Sequence, residues 1–306
     1  SCVVSRRLRR VGTRRRRSGL SLALIVLSLS ACSGPDVLNA FAPDDGYRVV
    51  SDLQYRPGAR GKLDLYIPDA ANSTTPTIVF FYGGSWQTGS KDDYLFVGEA
   101  FASKGYVAAI PDYRLFPEIR YPAFLEDAAA AVAWVKANAE RIGVNGGPIY
   151  LAGHSAGSYI AAMLTLDPRW LAQAGDGVCH TVAATVGLAG PYDFLPLTDE
   201  ALKEIFGPEP ERPRTQPINY VDGAEPPMLL ISGRDDVTVR PGNSHRLAAR
   251  IRSRSGSVEE RYYDDIGHLE LVASLAQPLR GLAPTLDDVD RFLSRRPQAD
   301  SGSCRD

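Results

Sequence analysis

Cysteine, histidine and long apolar runs are all scarce in this chain, and each scarcity removes a class of function. Four cysteines occur in 306 residues, none in a Cys-x-x-Cys pair or at a zinc-ligand spacing, so neither a redox dithiol nor a metal site is indicated. Two of them, Cys2 and Cys32, fall in the first 32 residues. An oxidising compartment permits a bridge between Cys179 and Cys304, but Cys304 lies in a polar tail, and unpaired thiols are the favoured reading. With only four histidines, the choice of a base that works near neutral pH is short. The apolar stretch 20–29 falls well below the roughly 20 residues of a membrane-spanning helix. No internal repeat is visible.

Charge is unevenly placed. Residues 1–32 hold eight of the 34 Lys and Arg and none of the 36 Asp and Glu, which leaves 26 basic against 36 acidic side chains in the remainder. An acidic body without a basic stripe is a poor match to a phosphate backbone, so no nucleic-acid partner is expected. The eight arginines precede the apolar stretch 20–29 and the small-residue exit Ser30-Ala31-Cys32, the order of an export signal. Leu29-Ser30-Ala31-Cys32 resembles the lipobox of bacterial lipoproteins. That resemblance implies a lipidated Cys32 as the mature N-terminus, with membrane contact through this lipid only. The domain would then face the periplasm or cell exterior from the cell membrane or outer membrane. Ordinary signal cleavage, or retention as a single anchoring helix, are the alternatives, and Ser5-Arg6-Arg7 leaves the twin-arginine route open.

Residues 33–46, small, polar and carrying Pro35 and Pro43, read as a tether. Strand-like runs 47–55 and 62–67 then flank Arg56-Pro57-Gly58-Ala59-Arg60-Gly61, a hairpin signal. From Thr77 onward apolar strands at 78–82, 107–110, 149–152, 182–188, 228–232 and 258–263 alternate with helical segments, the clearest at 124–139. There Leu125, Ala128, Ala129, Val132 and Val135 recur at three- and four-residue steps. Strict alternation means an α/β domain, 47–294, with a mostly parallel sheet covered by helices on both faces and opened by an antiparallel hairpin. Ligands in such sheets bind at the carboxyl ends of the strands. The proline-rich segment 194–227, with a helical candidate at 199–206, breaks the alternation; it is either a small lid over the site or an irregular surface crossover. A last helix at 285–293 precedes a flexible polar tail, 295–306.

At 153–157 stands Gly-His-Ser-Ala-Gly, directly after the apolar run 149–152 and directly before a helical stretch. A serine at such a strand-to-helix elbow is held in a strained conformation, and glycines two before and two after it make room where a Cβ would collide. The next amide, on Ala156, faces out of a helix N-terminus and favours a developing oxyanion. Ser155 needs a base. His154 lies within the elbow, His180 precedes a strand and His245 lies in a helical stretch; His268 follows the strand 258–263, at the carboxyl end where a base belongs. In elbow sites the acid falls between nucleophile and base in the chain, which points to the turn after strand 228–232. Asp236 is the choice there, Asp235 the alternative, and Asp193 is read as a turn-capping carboxylate. A second oxyanion donor belongs to the glycine turn Tyr82-Gly83-Gly84-Ser85-Trp86.

These three segments together resemble the α/β-hydrolase fold, and Tyr82-Gly83-Gly84-Ser85-Trp86 is similar to the HGGG/HGGxW loop of its esterase branch. That branch holds carboxylesterases, feruloyl-esterase-like enzymes, prenylcysteine methylesterases and kynurenine formamidases. Asp112-Tyr113-Arg114-Leu115, Tyr121-Pro122-Ala123 and Asp127 resemble the segment these enzymes carry after the next strand, and an Arg114–Asp112 pair is expected. The resemblance implies a serine hydrolase of carboxylic esters with Ser155, His268 and Asp236 as its triad. The amides of Gly84, Ser85 and Ala156 would form the oxyanion hole, and no metal or organic cofactor would be needed. Tyr82 stands where the family has a histidine, which leaves a role for that side chain open. Tyr82, Trp86 and Tyr192 are candidates for the substrate pocket, with Phe116 and Tyr159 beside them. The partner expected is a small-molecule ester; oligomeric state is left open. An amidase or arylformamidase on the same scaffold, or a non-catalytic surface-anchored binding protein, are the rival functions.

Overall fold

The computed structural model describes residues 34–175, 177 and 181–296. The segment expected as an export signal, with Cys32, and likewise Cys179, His180, Cys304 and the end of the tail, lie outside the described residues. One eight-stranded sheet organises the rest: β1 (Tyr47–Gln54), β2 (Lys62–Pro68), β3 (Thr77–Phe81), β4 (Val107–Pro111), β5 (Ile149–His154), β6 (Val182–Leu188), β7 (Met228–Gly233) and β8 (Val258–Tyr263), in the order β1-β2-β4-β3-β5-β6-β7-β8. β1 and β2 pair antiparallel, as do β2 and β4; every other neighbour is parallel. The mostly parallel sheet is the one expected from the alternation, and its order with the antiparallel hairpin is the α/β-hydrolase fold that the motifs resembled.

Burial follows strand position. β3 through β7 are buried along their whole length, because helices cover both faces, whereas β8 at the edge is only half-buried and carries Glu259, Glu260 and Arg261. Charge on an edge strand discourages pairing with another chain. Helix Ala156–Leu166 is buried at all 11 positions between the sheet and helix Ala123–Ala137, which explains its mostly small and apolar sequence and the internal hydrogen bonds of Ser158, Tyr159 and Thr165. The strand order reverses between β3 and β5: the chain leaves β3 to one side for β4, then crosses back to β5. A crevice opens at such a point, beyond the carboxyl ends of the strands. The loop after β3 and the elbow after β5 meet there.

The segment expected as a tether is folded in part. Residues Gly34–Ala40 form a helix, and Asn39 ties it down: its amide donates to the Asp92 carbonyl at 2.9 Å while its oxygen accepts from the Phe96 amide at 3.1 Å. The Asn39 oxygen thereby satisfies one of the orphan amides at the start of helix Leu95–Ser103. Leu38 and Ala42 pack onto the core.

Candidate active site

Ser155 follows β5 at φ 54°, ψ −121°, a conformation that costs a residue with a Cβ about 1–3 kcal/mol. The flanking glycines permit it sterically. A Cβ on Gly153 would lie 2.3 Å from the Gly157 carbonyl oxygen, and one on Gly157 only 1.9 Å from that of Phe81 on β3. Helix Ala156–Leu166 is therefore pressed against the sheet at its first turn, and the serine is forced out into the crevice.

His268 opens helix His268–Ala273 after β8, and its Nε2 lies 2.9 Å from Ser155 Oγ. Its Nδ1 lies 2.7 Å from Asp236 Oδ2 in the turn after β7. An ionised carboxylate only accepts, so Nδ1 carries the proton and Nε2 is left free to accept from the serine hydroxyl. Asp236 is 3 % exposed, and the amides of Thr238 and Val239 donate to its Oδ1 at 2.9 and 2.8 Å, which fixes the carboxylate in the turn. Asp235 is exposed and points its chemistry elsewhere; its own amide donates to the Ile266 carbonyl. Asp193 pairs with Arg246 at 2.5 Å and His245 with Glu260 at 3.3 Å, so neither joins the site. His154 is nearly fully buried beside His268, with its Nε2 3.0 Å from the His268 carbonyl oxygen.

After β3 the glycine turn closes through the Gly84 carbonyl, which accepts from the amides of Gln87 and Thr88. Gly84 sits at φ 123°, and a Cβ there would meet the Thr88 carbonyl at 2.2 Å. Ser85 and Trp86 follow at φ 53° and 60°. Of the amides expected from this turn, that of Ser85 belongs to a residue bordering the cavity, as do Ser155 and Ala156. The cavity is about 230 Å³ and is walled further by Trp86, Pro191, Phe194, Pro196, Leu197, Leu202, Val239 and Asn243.

Two of the three expected pocket aromatics are core residues. Tyr82 is fully buried, stacked on Tyr113 and Tyr94; its hydroxyl donates to Asp112 at 2.7 Å and accepts from Arg60 at 2.6 Å, so it braces the stem of the glycine turn. Tyr192 is also fully buried, its hydroxyl 2.7 Å from Ser158 Oγ and its ring lying where Gly187 and Gly190 have no Cβ. Trp86 alone reaches the cavity. Arg114 pairs not with Asp112 but with Asp127, through Nε and Nη2 at 2.9 and 2.8 Å. The walls that sequence reasoning left undecided come from the proline-rich segment: Phe194, Pro196, Leu197, Thr198 and Leu202 all face the cavity. Phe206 of helix Glu200–Phe206 packs edge-on against Trp86 at 4.8 Å.

The model of the BD-FAE family matches residues 63–251, more than half of the chain, from the second residue of β2 into helix Gly242–Ser253. The chain belongs to the BD-FAE family. Among curated relatives of this BD-FAE protein, isoprenylcysteine alpha-carbonyl methylesterase ICME of Arabidopsis thaliana is 28% identical over 264 residues, covering 79% of this chain and 61% of the relative. Esterase LipC of Mycobacterium tuberculosis is 28% identical over 290 residues, covering 84% and 70%. The chain spans about three fifths of the length of the methylesterase relatives it matches. Among solved structures, the propionate-bound esterase Est2 of Thermogutta terrifontis aligns with TM-score 0.68 at 25% identity, over 83% of this chain and 96% of that one. In this BD-FAE protein the matched segment contains the elbow, the glycine turn after β3 and Asp236, while His268 lies 17 residues beyond its end.

Proposed function

We propose that the protein is an exported serine hydrolase that cleaves carboxylic esters, held at a membrane by a lipid on Cys32. One observation carries the chemical part. Asp236 Oδ2, the two ring nitrogens of His268 and Ser155 Oγ form a continuous line, 2.7 and 2.9 Å long at its two joints, that ends at the mouth of an apolar-walled cavity.

His268 Nε2 takes the proton of Ser155 as Oγ bonds to the ester carbonyl carbon, and Asp236 stabilises the imidazolium without itself being protonated. The negative charge on the former carbonyl oxygen is met by the amides of Ala156, Gly84 and Ser85. As the tetrahedral adduct collapses, the bond to the alcohol oxygen breaks and the imidazolium returns its proton to that oxygen. Water then repeats the sequence on the acyl-enzyme, releasing acid and restoring Ser155. The relatives' names, esterase and methylesterase, and the propionate in a related structure, support small carboxylic esters as the substrate class.

The test is turnover of p-nitrophenyl esters from acetyl to octanoyl, with Ser155→Ala as the control. Loss of the nucleophile is expected to lower turnover by several orders of magnitude; retention of full activity by folded Ser155→Ala refutes the reading. A fluorophosphonate that leaves Ser155 unlabelled would favour the non-catalytic binding protein, and faster turnover of a matched amide would favour the amidase. Anchoring is tested separately: Cys32→Ala is expected to move the protein out of the membrane fraction.

A further inference from the structure

His154, the residue beside the nucleophile, has no part in the mechanism above, yet its ring lies against both the loop of the base and the turn after β3. It is 2 % exposed. Its Nε2 lies 3.0 Å from the carbonyl oxygen of His268. A carbonyl only accepts, so Nε2 carries the hydrogen and donates. The opposite nitrogen, Nδ1, is buried without a partner, and Gly83 of the oxyanion turn backs it so closely that a Cβ there would come within 3.1 Å. The rings of His154 and His268 lie 4.8 Å apart. One side chain therefore joins the end of β5, the main chain of the base and the turn that bears the oxyanion amides.

The base needs such a support. The His268 side chain is held at Nδ1 by Asp236, but its backbone stands at the start of a six-residue helix that follows an irregular turn. A main chain free to shift would change the distance from Nε2 to Ser155 Oγ, and a misplacement of about 1 Å costs on the order of 100-fold in rate. We propose that His154 is a positioning residue that sets the distance between base and nucleophile by holding the His268 carbonyl from within the nucleophile's own strand. This rests on Ser155 and His268 being nucleophile and base.

The protonation state suits the task. Burial first, and the neighbouring His268 second, push the His154 imidazole down to about 3, with Asp236 the only nearby group acting the other way besides its bond to the His268 backbone. It stays uncharged wherever the enzyme works. The imidazolium that forms on His268 in each cycle therefore meets one carboxylate and no second cation.

The experiment compares three variants, with kcat normalised to sites titrated by a fluorophosphonate. His154→Gln keeps an amide donor at the reach of Nε2, whereas His154→Leu keeps the bulk without the donor. His154→Leu is expected to lose about 10- to 100-fold in kcat with KM changed less than about twofold, and His154→Gln to stay within about threefold of the parent. His154→Asn, whose amide stops short of the carbonyl, is expected to behave as the leucine does, and it carries the comparison if the leucine variant does not fold. Full kcat in His154→Leu or His154→Asn overturns the proposal, and so does an equal loss in all three variants, which would mean the bond is not the cause. Activity surviving in Ser155→Ala would instead sink the underlying reading.

Discussion

Replacing Asp127 by asparagine tests the buried charge cluster that the sequence placed wrongly. Asp127 lies on helix Ala123–Ala137 at 1 % exposure, accepts from three donors of Arg114, its amide at 2.9 Å, Nε at 2.9 Å and Nη2 at 2.8 Å, and forms an ion pair with Arg56 Nε at 3.1 Å. It thereby joins the hairpin loop before β2, the exit of β4 and the first long helix. Asparagine keeps one oxygen and sets an NH2 against the donors on the other, so at least one bond is lost and two guanidinium groups lose their counter-charge. Removing one partner of a buried pair costs about 3–5 kcal/mol, but both arginines keep a fifth to a quarter of their side-chain exposure, and water offsets part of it, so about 3 kcal/mol is expected. For a domain of this size that is a melting point lower by about 6–12 °C. Urea denaturation should show a lower midpoint with an unchanged slope, while kcat and KM at 25 °C stay at parent values because Arg114 points into the protein fabric. A loss under about 1 kcal/mol refutes the energetic argument. Raised KM with intact stability would show that Arg114 serves the substrate.

Three further outcomes follow from the geometry. Asp236→Asn is expected to lower kcat about 10,000-fold, because the His268 tautomer is lost, while exposed Asp235→Asn leaves it within about twofold; the reverse result would exchange their roles. Truncating the lid side of the cavity with Leu202→Ala should raise kcat/KM for octanoyl over acetyl p-nitrophenyl esters about tenfold, and an unchanged ratio would mean the acyl chain lies elsewhere. His154 makes the fold acid-sensitive. Its folded value of about 3 lies below the 6.5 of an unperturbed imidazole, so the unfolded chain binds the extra proton, and stability is complete above 6.5 and falls as pH drops toward 3. Urea titrations at pH 7.5 and pH 5 should differ by about 2 kcal/mol from this group. That difference is expected to vanish in His154→Gln, and its persistence there would assign the acid loss to other groups.

What the sequence made legible divides along a physical line. Ser155, His268 and Asp236, which the structure brings within hydrogen-bond reach of one another, could be named together because each is fixed by local geometry: an apolar run marks a strand, and the turn after it marks the carboxyl edge where ligands bind. Helix Thr285–Leu293 and strand Val182–Leu188 match the expected bounds for the same reason, since their periodicity is contained within their own residues. Tyr82 and Tyr192 were not legible as core. A tyrosine beside a turn faces cavity or interior according to whether its hydroxyl finds a buried partner, and those partners, Asp112 and Ser158, stand 30 and 34 residues away. Arg114 was paired with the carboxylate nearest in sequence, whereas the helix that follows brings Asp127 over it from 13 positions on. The lid was undecidable because prolines report an interrupted backbone without saying which surface it lies on.

Backbone strain gives the same edge of the sheet a signature that no residue type reveals. Seven non-glycine residues among those described have positive φ, and five follow the carboxyl ends of strands at the site: Ser85 and Trp86 after β3, Ser155 after β5, Ala189 after β6 and Asp265 after β8. Each costs about 1–3 kcal/mol and persists only where its surroundings over-determine it. Here the surroundings are identifiable: the Gly157 backbone against Phe81, the Ser155 amide on the Leu188 carbonyl, and the Ala189 amide on the Ile231 carbonyl. At Ser155 and Ala189 the hydrogen bond runs to the strand beside the turn, so there the strain is held by the sheet and not by the loop. The elbow can therefore keep its place on the sheet without a ligand to order it, which is the rigidity that the proposed proton transfer over 2.9 Å demands.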